Sequence, residues 1–547
     1  MRLQNVNTTD IRSAIELGCR CMTSVFNADD HDVPFFHSQL WPQAWLAWHC
    51  VHGESHVPGR HLNALLASRD ALSRTHIALP LDESALDKHA AAAYFSYSGP
   101  LELPLNRRTI EGPLELFNDH NVREGFHALY ALAAFRDDER AMDLVRRSLA
   151  TIRRFWRPDT GWDDEALTRH GVERTYWQDH FVTGMARAIG PLVKLFQTTG
   201  CQEAMALATV LKDKAVAEHF AKPGLERGAY DRATHGDHTH STTCVMSGLA
   251  QYATAVGDRA LLEIVRAFYD KGLWAIRDEV GWVIENVARQ ALESDTGESN
   301  NTGDVLETTL LLAAAGWGEA YYDDAELILR AHLLPSQLRD VSWVREWPSP
   351  GGGDGRHRVA DRHLGAFGFP APFGHKPCGT GWVSFNMDIV GGAVGSLAAA
   401  WRHAVSSSPD GLRVNLLFDY ESPDVRIESP YTQTTWGDGQ PLGLLRVTVN
   451  RSDQVSVRIP AWADATLWRV RRGAGEPRPA LTDARRDGAW LRFGPVPAGQ
   501  VVEIAMPLTR RRLVLRHQTH DIHVDLRGDE VVAMENFGAD LTFFDPL

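Results

Sequence analysis

The stretch VLETTLLLAAAGWGEAYYDDAELILRAHLL (Val305–Leu334) decides the fold. An apolar helical run ends at a Gly-Trp-Gly turn, and a second helical run follows. HSTTCVMSGLAQYATAVGDRALLEIVRAFYDKGLWAI (His240–Ile276) has the same plan. A third copy lies upstream. REGFHALYALAAF (Arg123–Phe135) puts Phe126, Leu129, Tyr130 and Ala133 on one face. DDERAMDLVRRSLATIRRFW (Asp137–Trp156) puts Ala141, Leu144, Val145 and Leu149 on another. Asp137 and Asp138 stand at its start, where carboxylates suit the helix dipole. Helical periodicity continues from about residue 10 to 403, enough for roughly a dozen helices. Hairpins of helices repeated along a chain build a solenoid or a closed toroid. The loops 222–239, 283–303 and 345–381 are too long to be plain connectors and are expected to form the rim of a site.

The pattern changes after AVSSSPDG (404–411). LRVNLLFDY, DVRIES, LLRVTVN, QVSVRIPAW, TLWRVRR, AWLRFGP and VVEIAMP are short runs, several of them alternating, and turn residues separate most of them. That spacing predicts an antiparallel β-sandwich. The expected domains are 1–405, mainly α, and 406–547, all β; the tail 511–547 either adds strands or lies back on the first domain.

A chain of 547 residues exceeds one simple core. Hydrophobic residues make up 44% and charged residues 23%, an ordinary globular balance. A net charge of −14 supplies no basic stripe for phosphates, so no nucleic-acid partner is expected. The N-terminal residues show no secretory pattern, and no apolar run has the length of a membrane span, so the expected setting is cytoplasmic, with no membrane partner. A homo-oligomer is left open. The six cysteines fit neither a disulfide framework nor a closed zinc site. The 17 Trp suit both core packing and stacking on sugar rings.

Polar clusters fall in loops and at helix starts. ESHVPGRHLNALL offers His56, Arg60 and His61; FNDHNVREGFHALY offers Asp119, His120, Arg123 and Glu124. THGDHTHSTT offers His238 and His240, residue types that hold a metal or orient hydroxyls. The long stretch Gly281–Thr309 offers Trp282, Glu285, Asn286, Glu298 and Glu307, and SFNMDIVGG offers Asp388. Each has a plainer reading as a cap or a solvated loop. In particular, Asp304 and Glu307 read as a capping box at the start of the Val305 helix. Hydrolysis of a glycosidic bond needs one acid for the leaving oxygen and a second group at the anomeric carbon. Glu285, Glu298, Glu307 and Asp388 are the candidates.

At these residues the chain resembles glycoside hydrolase family 127. The resemblance lies in HTHST, then GWVIEN, then a Glu-Thr pair, followed by LRVNLLFDYESPDVRIES, VSVRIPAWA and VPAGQVVEIAMPL, over roughly residues 50 to 510. It implies an (α/α)6 barrel that carries the active site, β-sandwich domains and β-L-arabinofuranosidase activity. It also implies zinc held by a Glu-Thr-Cys at a helix start and by a cysteine pair that opens a later helix and supplies a thiolate nucleophile. This chain has Glu307-Thr308-Thr309, and NMDIVGGAVGSLAAAW (386–401) contains no cysteine. The zinc–thiolate mechanism therefore does not carry over, and no cofactor or metal is expected.

The expectation is a glycosidase acting on a carbohydrate at the barrel mouth. Glu307 and one of Glu285 or Glu298 form its carboxylate pair, and Asp388 replaces the thiol chemistry. His56, Arg60, His61, Asp119, His120, Arg123, Glu124, His238, His240, Trp282 and Asn286 hold the sugar. The rivals are a lyase or epimerase on an acidic sugar, for which the His and Arg content is equally suited, and an inactive carbohydrate-binding protein.

Overall fold

The computed structural model describes the chain except residues 176–179, 222–234, 288–294, 349–351, 377–380, 433, 438–439 and 517–519. Twelve of the described helices form six packed pairs, five of them hairpins of consecutive helices. They are α1 (Ile11–Met22), α2 (Val57–Ser73), α3 (Glu83–Ser96), α4 (Val122–Arg136), α5 (Glu139–Phe155), α6 (Ile189–Thr199), α7 (Gln202–Ala215), α8 (Thr239–Val256), α9 (Arg259–Asp270), α10 (Ser299–Ala314), α11 (Ala320–Ile328) and α12 (Met387–Ala404). The even-numbered helices pack in succession from α2 to α12, and α12 returns to α2, closing a ring. Each odd-numbered helix backs an inner one, with α1 behind α12, α3 behind α2, and so on to α11 behind α10. This is the expected (α/α)6 barrel.

Burial follows position in the ring. The outer helix α5 buries one stripe that includes Ala141, Leu144, Val145 and Leu149. The inner helices α8 and α10 are buried nearly all round at their first turns, polar residues included. Capping divides the same way. Outer helices α1, α3, α5 and α9 start at Asp10, Asp82, Asp138 and Asp258, each accepting a backbone N–H of its own helix. None of the six inner helices has an N-cap side chain bonded to its own backbone. Their polar first residues face other partners.

One sequence reading is overturned here. Helix α10 starts at Ser299, so Asp304 and Glu307 lie in its second and third turns and form no capping box. The apolar run suggested a start near Val305. The polar segment Ser299–Asp304 is nevertheless helical and buried, because it lines the barrel interior.

Beyond α12 the chain builds two sheets. One has the strand order 485–487, 490–496, 453–458, 411–414, 405–408; the other is centred on Gln440–Val449 and Val501–Pro507. Leu412, Val457 and Phe493 from the first share one apolar core with Ile427, Leu445 and Ile504 from the second, the arrangement of a sandwich. A three-stranded meander, Arg510–Arg516, Asp521–Arg527 and Glu530–Met534, then turns Leu515, Ile522 and Val524 into the barrel core. Leu3 N donates to Thr542 O at 2.8 Å, joining the two ends of the chain. The two-sheet unit thus ends near residue 508, and the tail lies back on the barrel.

Glycines set how closely the inner helices approach. A Cβ on Gly59 of α2 would lie 1.8 Å from the Glu124 carbonyl of α4. Gly59→Ala therefore has to separate two helices of the ring. The expected loss is ~1–3 kcal/mol of unfolding free energy, read from urea midpoints.

Candidate active site

The starts of the inner helices meet at one end of the barrel. They line a cavity of about 360 Å³ that contains His56 and Arg60 of the α2 start, His120 before α4, His238 and His240 of α8, Glu298 before α10, and Asn386 and Asp388 of α12. Glu285 reaches it from a loop whose Glu285 carbonyl accepts from Thr239 N at 3.2 Å. A small sheet, in which His37–Trp41 pairs with Val383–Asn386, brings His37 and Asn386 to the rim, where their side chains lie 2.9 Å apart. Helix N-termini directed at one cavity supply partial positive charge, which suits the acids found there.

Arg60 is the hub, and only 3% of it is exposed. Its guanidinium lies 3.2 Å from Glu124, 3.5 Å from Asp388 and 3.4 Å from His240 Nδ1. Glu124, fully buried, also meets Arg123 and Arg187, both at 3.0 Å. Burial pushes the Glu124 carboxyl up; Arg187, His56, Arg60 and Arg123 outweigh it and hold the pKa well below the usual range.

Asp388 lies 3.1 Å from His56 Nε2. Burial would raise its pKa, but the His56 hydrogen bond and the charges of His56 and Arg60 hold it below the ordinary carboxylate value. His56 Nδ1 is fixed by Asn121 Oδ1 at 2.8 Å, and the ring stacks on His120 with centroids 5.5 Å apart. Glu298 sits between His238 Nε2 at 3.2 Å and His240 Nδ1 at 3.4 Å. On its other side His240 Nε2 lies 3.4 Å from Asp304. Burial, followed by Arg60, Arg187 and Arg123, lowers the pKa of His240 well below the ordinary value, so this ring is neutral.

The remaining expected residues lie elsewhere. Glu307 does not line this cavity; it faces a second one farther down the barrel, where it accepts from Ser247 Oγ at 2.5 Å and Gln251 Nε2 at 3.1 Å. Arg123 lines that second cavity as well. His61 is wholly buried and bonds the Met387 carbonyl at 2.8 Å, anchoring the start of α12. Trp282 is a core residue whose Nε1 donates to Pro370 O at 2.8 Å. Asp119 lines a small neighbouring cavity with Arg174, and Asn286 forms a backbone bridge with His238. Glu124 lies beneath the cavity floor. Two further residues that the sequence offers, the loop acid Glu293 and the cysteine Cys378 ten residues before Asp388, fall outside the described residues.

The sequence reading missed His37, His49 and His52, which also line the cavity. His49, His52 and His56 recur at i, i+3 and i+7, a helical spacing that was legible in WHCVHGESH. The His49 and His52 rings stack with centroids 4.9 Å apart.

The chain's fold defines it as an (α/α)6-barrel protein with an appended β domain. It is similar to the GH127 β-L-arabinofuranosidase Ara127N from Geobacillus stearothermophilus T6, with 14% identity and a TM-score of 0.51, over 87% of this chain and 77% of that one. It is also similar to the GH127 β-arabinofuranosidase BT3674, with 14% identity and a TM-score of 0.54, over 95% and 79%. No protein-family model and no curated protein matches the sequence.

The family resemblance implies a zinc–thiolate centre, which the residues present do not fit. The residues at the start of α10 are Glu298-Ser299-Asn300, and those at the start of α12 are Met387-Asp388. Cys244, the cysteine on an inner helix, lines the second cavity and donates to Ser241 O at 3.2 Å. His238, His240 and Glu298 do bring three donor atoms within 4.8 Å of one another. The Arg60 guanidinium against His240 opposes a cation there.

Buried histidines dominate the acid response. Burial lowers His61 and His363 to about 4, and His332 and His375 to about 3, from 6.5. Such groups take up protons in the unfolded chain first, so their stabilising contribution is complete above pH 6.5 and is lost as pH falls toward the folded values. Asp388, also lowered, adds a loss only below about pH 4. Unfolding free energies from urea titrations between pH 7.5 and 4.5 should fall below pH 6.5, each such histidine contributing ~1.4 kcal/mol per pH unit, offset in part by Asp278 and Asp304, whose carboxyls burial raises to about 8 and about 7. A flat profile would contradict this.

Proposed function

We propose that the chain is a glycoside hydrolase. It takes a small glycoside or an oligosaccharide end into the mouth cavity and cleaves it with carboxylates, independently of a zinc–thiolate centre. The observation that carries the reading is the convergence of Glu298 and Asp388 on one cavity lined by seven histidines. His49, His52, His120 and His240, whose pKa values burial lowers, and Asn386 offer directional hydrogen bonds to hydroxyls without a net charge. Asp388, kept ionised by His56 and Arg60, is suited to act at the anomeric carbon, either directly or by taking a proton from the attacking water. Glu298 is the group assigned to protonate the leaving oxygen, with His238 and His240 orienting its carboxyl. Glu285, hydrogen-bonded by Thr296 Oγ1 at 3.2 Å, serves as a rim contact for the sugar. Glu307, expected from sequence as one of the pair, has no access to a substrate held there.

The test is a panel of aryl glycosides and oligosaccharides, arabinofuranosides included, scored for new reducing ends. Glu298→Gln and Asp388→Asn should each lower kcat by ~10²–10⁴-fold, and Asp388→Asn should also lower Tm, because it removes the buried pairing with His56 and Arg60. Glu307→Gln should leave kcat within about threefold, since the residue touches no reacting atom. If Glu307→Gln alone abolishes turnover, the assignment of the pair fails. The density of histidines also favours a second reading, proton abstraction beside a sugar carboxylate or carbonyl. A product absorbing in the ultraviolet, formed without hydrolysis, would select a lyase.

A further inference from the structure

Below the Arg60–Glu124 floor lies a second cavity of about 450 Å³, to which all six inner helices contribute. Its size suits a small ligand. Three features of its lining stand out.

The first is cationic. Lys194 of α6 reaches into it, and among the described residues no carboxylate lies within 4.0 Å of its ammonium. Arg123 bonds Glu124 through Nη1, leaving the rest of its guanidinium toward the cavity. The second is a set of acceptors. Asn63 Oδ1 and Gln251 Oε1 are buried without a hydrogen-bond partner, as is Nδ1 of His127, a residue only 4% exposed. The two amide oxygens call for donors, and the imidazole nitrogen for a partner set by its tautomer. The third is Gly395, inside α12. A Cβ placed there meets no heavy atom within 4 Å, unlike Gly391 and Gly392, whose neighbours sit at 2.8 and 2.5 Å. A glycine within a helix costs about 1 kcal/mol relative to alanine. At Gly395 close packing does not account for it, whereas keeping the cavity open does.

We propose that this second cavity binds a monosaccharide-sized hydroxycarboxylate, its carboxylate on Lys194 and Arg123 and its hydroxyls on Asn63, Gln251 and Glu307. Arg74 and Arg402, which also line the cavity, are paired with Asp70, so one unpaired ammonium and one half-used guanidinium remain to match a single negative charge. A dianionic phosphate would also face Glu307 and Asp304. The hydroxyls supply the donors that the orphan acceptors lack. Burial lowers the pKa of Lys194, and Glu307 partly restores it. The inference stands apart from the reading of the mouth cavity.

Isothermal titration of the full chain with glucuronate, galacturonate and gluconate tests it, with glucose, acetate and glucose 6-phosphate as controls. At least one sugar acid should bind saturably, ten-fold or more tighter than glucose or acetate. Lys194→Met should weaken that binding at least ten-fold. Gly395→Leu, which fills open space, should abolish it at an unchanged or higher Tm. Asp388→Asn, in the mouth cavity, should leave it intact. No binding by any sugar acid, binding indifferent to Lys194→Met, or binding lost in Asp388→Asn overturns the proposal. Tighter binding of glucose 6-phosphate overturns the choice of carboxylate.

Discussion

The buried cluster around Glu124 is the constraint on which both cavities depend. One carboxylate with no exposed surface meets three guanidinium groups, Arg60 from α2, Arg123 from its own helix and Arg187 from the turn before α6. Such a cluster is weak as a source of stability, because desolvation offsets most of its attraction. Its value is positional. Three arginines around one acid leave net positive charge on the barrel axis. That charge faces Asp388, 3.5 Å from Arg60, on the upper side and opposes the effect of burial on Asp304 on the lower one. It also adds to burial in keeping His240 neutral, with its two ring nitrogens 3.4 Å from Glu298 and 3.4 Å from Asp304.

The capping pattern follows from the same demand. Outer helices satisfy their first N–H groups with aspartates of their own. Inner helices begin with His56, Asn121, His238, Glu298 and Asn386, whose side chains bond across to other helices or face the cavity. A residue cannot both cap its helix and serve the site. The local stability given up at the inner starts is recovered through ring closure, in which each inner helix is held by two inner neighbours and one outer one.

This division explains what was legible in the sequence. The outer helices carry their caps and stripes in plain view, so the hairpin repeat and the fold class could be read. The inner starts carry polar residues that look like loop. In SNNTGD (Ser299–Asp304) a buried helical turn is written in residues that favour turns, so the apolar run points to a start at Val305 rather than Ser299 and to Glu307 as the acid at the helix start. The acid that holds that position is Glu298. His61 and Trp282 were read as sugar contacts by their residue types, but tertiary packing uses His61 to anchor the start of α12 and Trp282 to fill the core. The ion cluster could not be read, since Arg60 and Arg187 meet Glu124 from distant parts of the chain.

The resemblance sets Thr309 against a metal-bound cysteine at a helix start, but Thr309 lies well inside α10, and the starts of α10 and α12 hold Asn300 and Met387-Asp388, none of them a thiol. A thiolate on zinc is held in its ionised form by the metal. A carboxylate at the same end of the barrel needs another source of positive charge, and Asp388 has it in His56 at 3.1 Å and Arg60 at 3.5 Å. Arg60 in turn opposes a cation beside His240. The guanidinium that permits a carboxylate-based site therefore works against a metal in the same place. Barrel geometry at 14% identity and different chemistry at the helix starts are compatible, because the ring rests on apolar packing and close-approach glycines that make no demand on which group sits at the mouth.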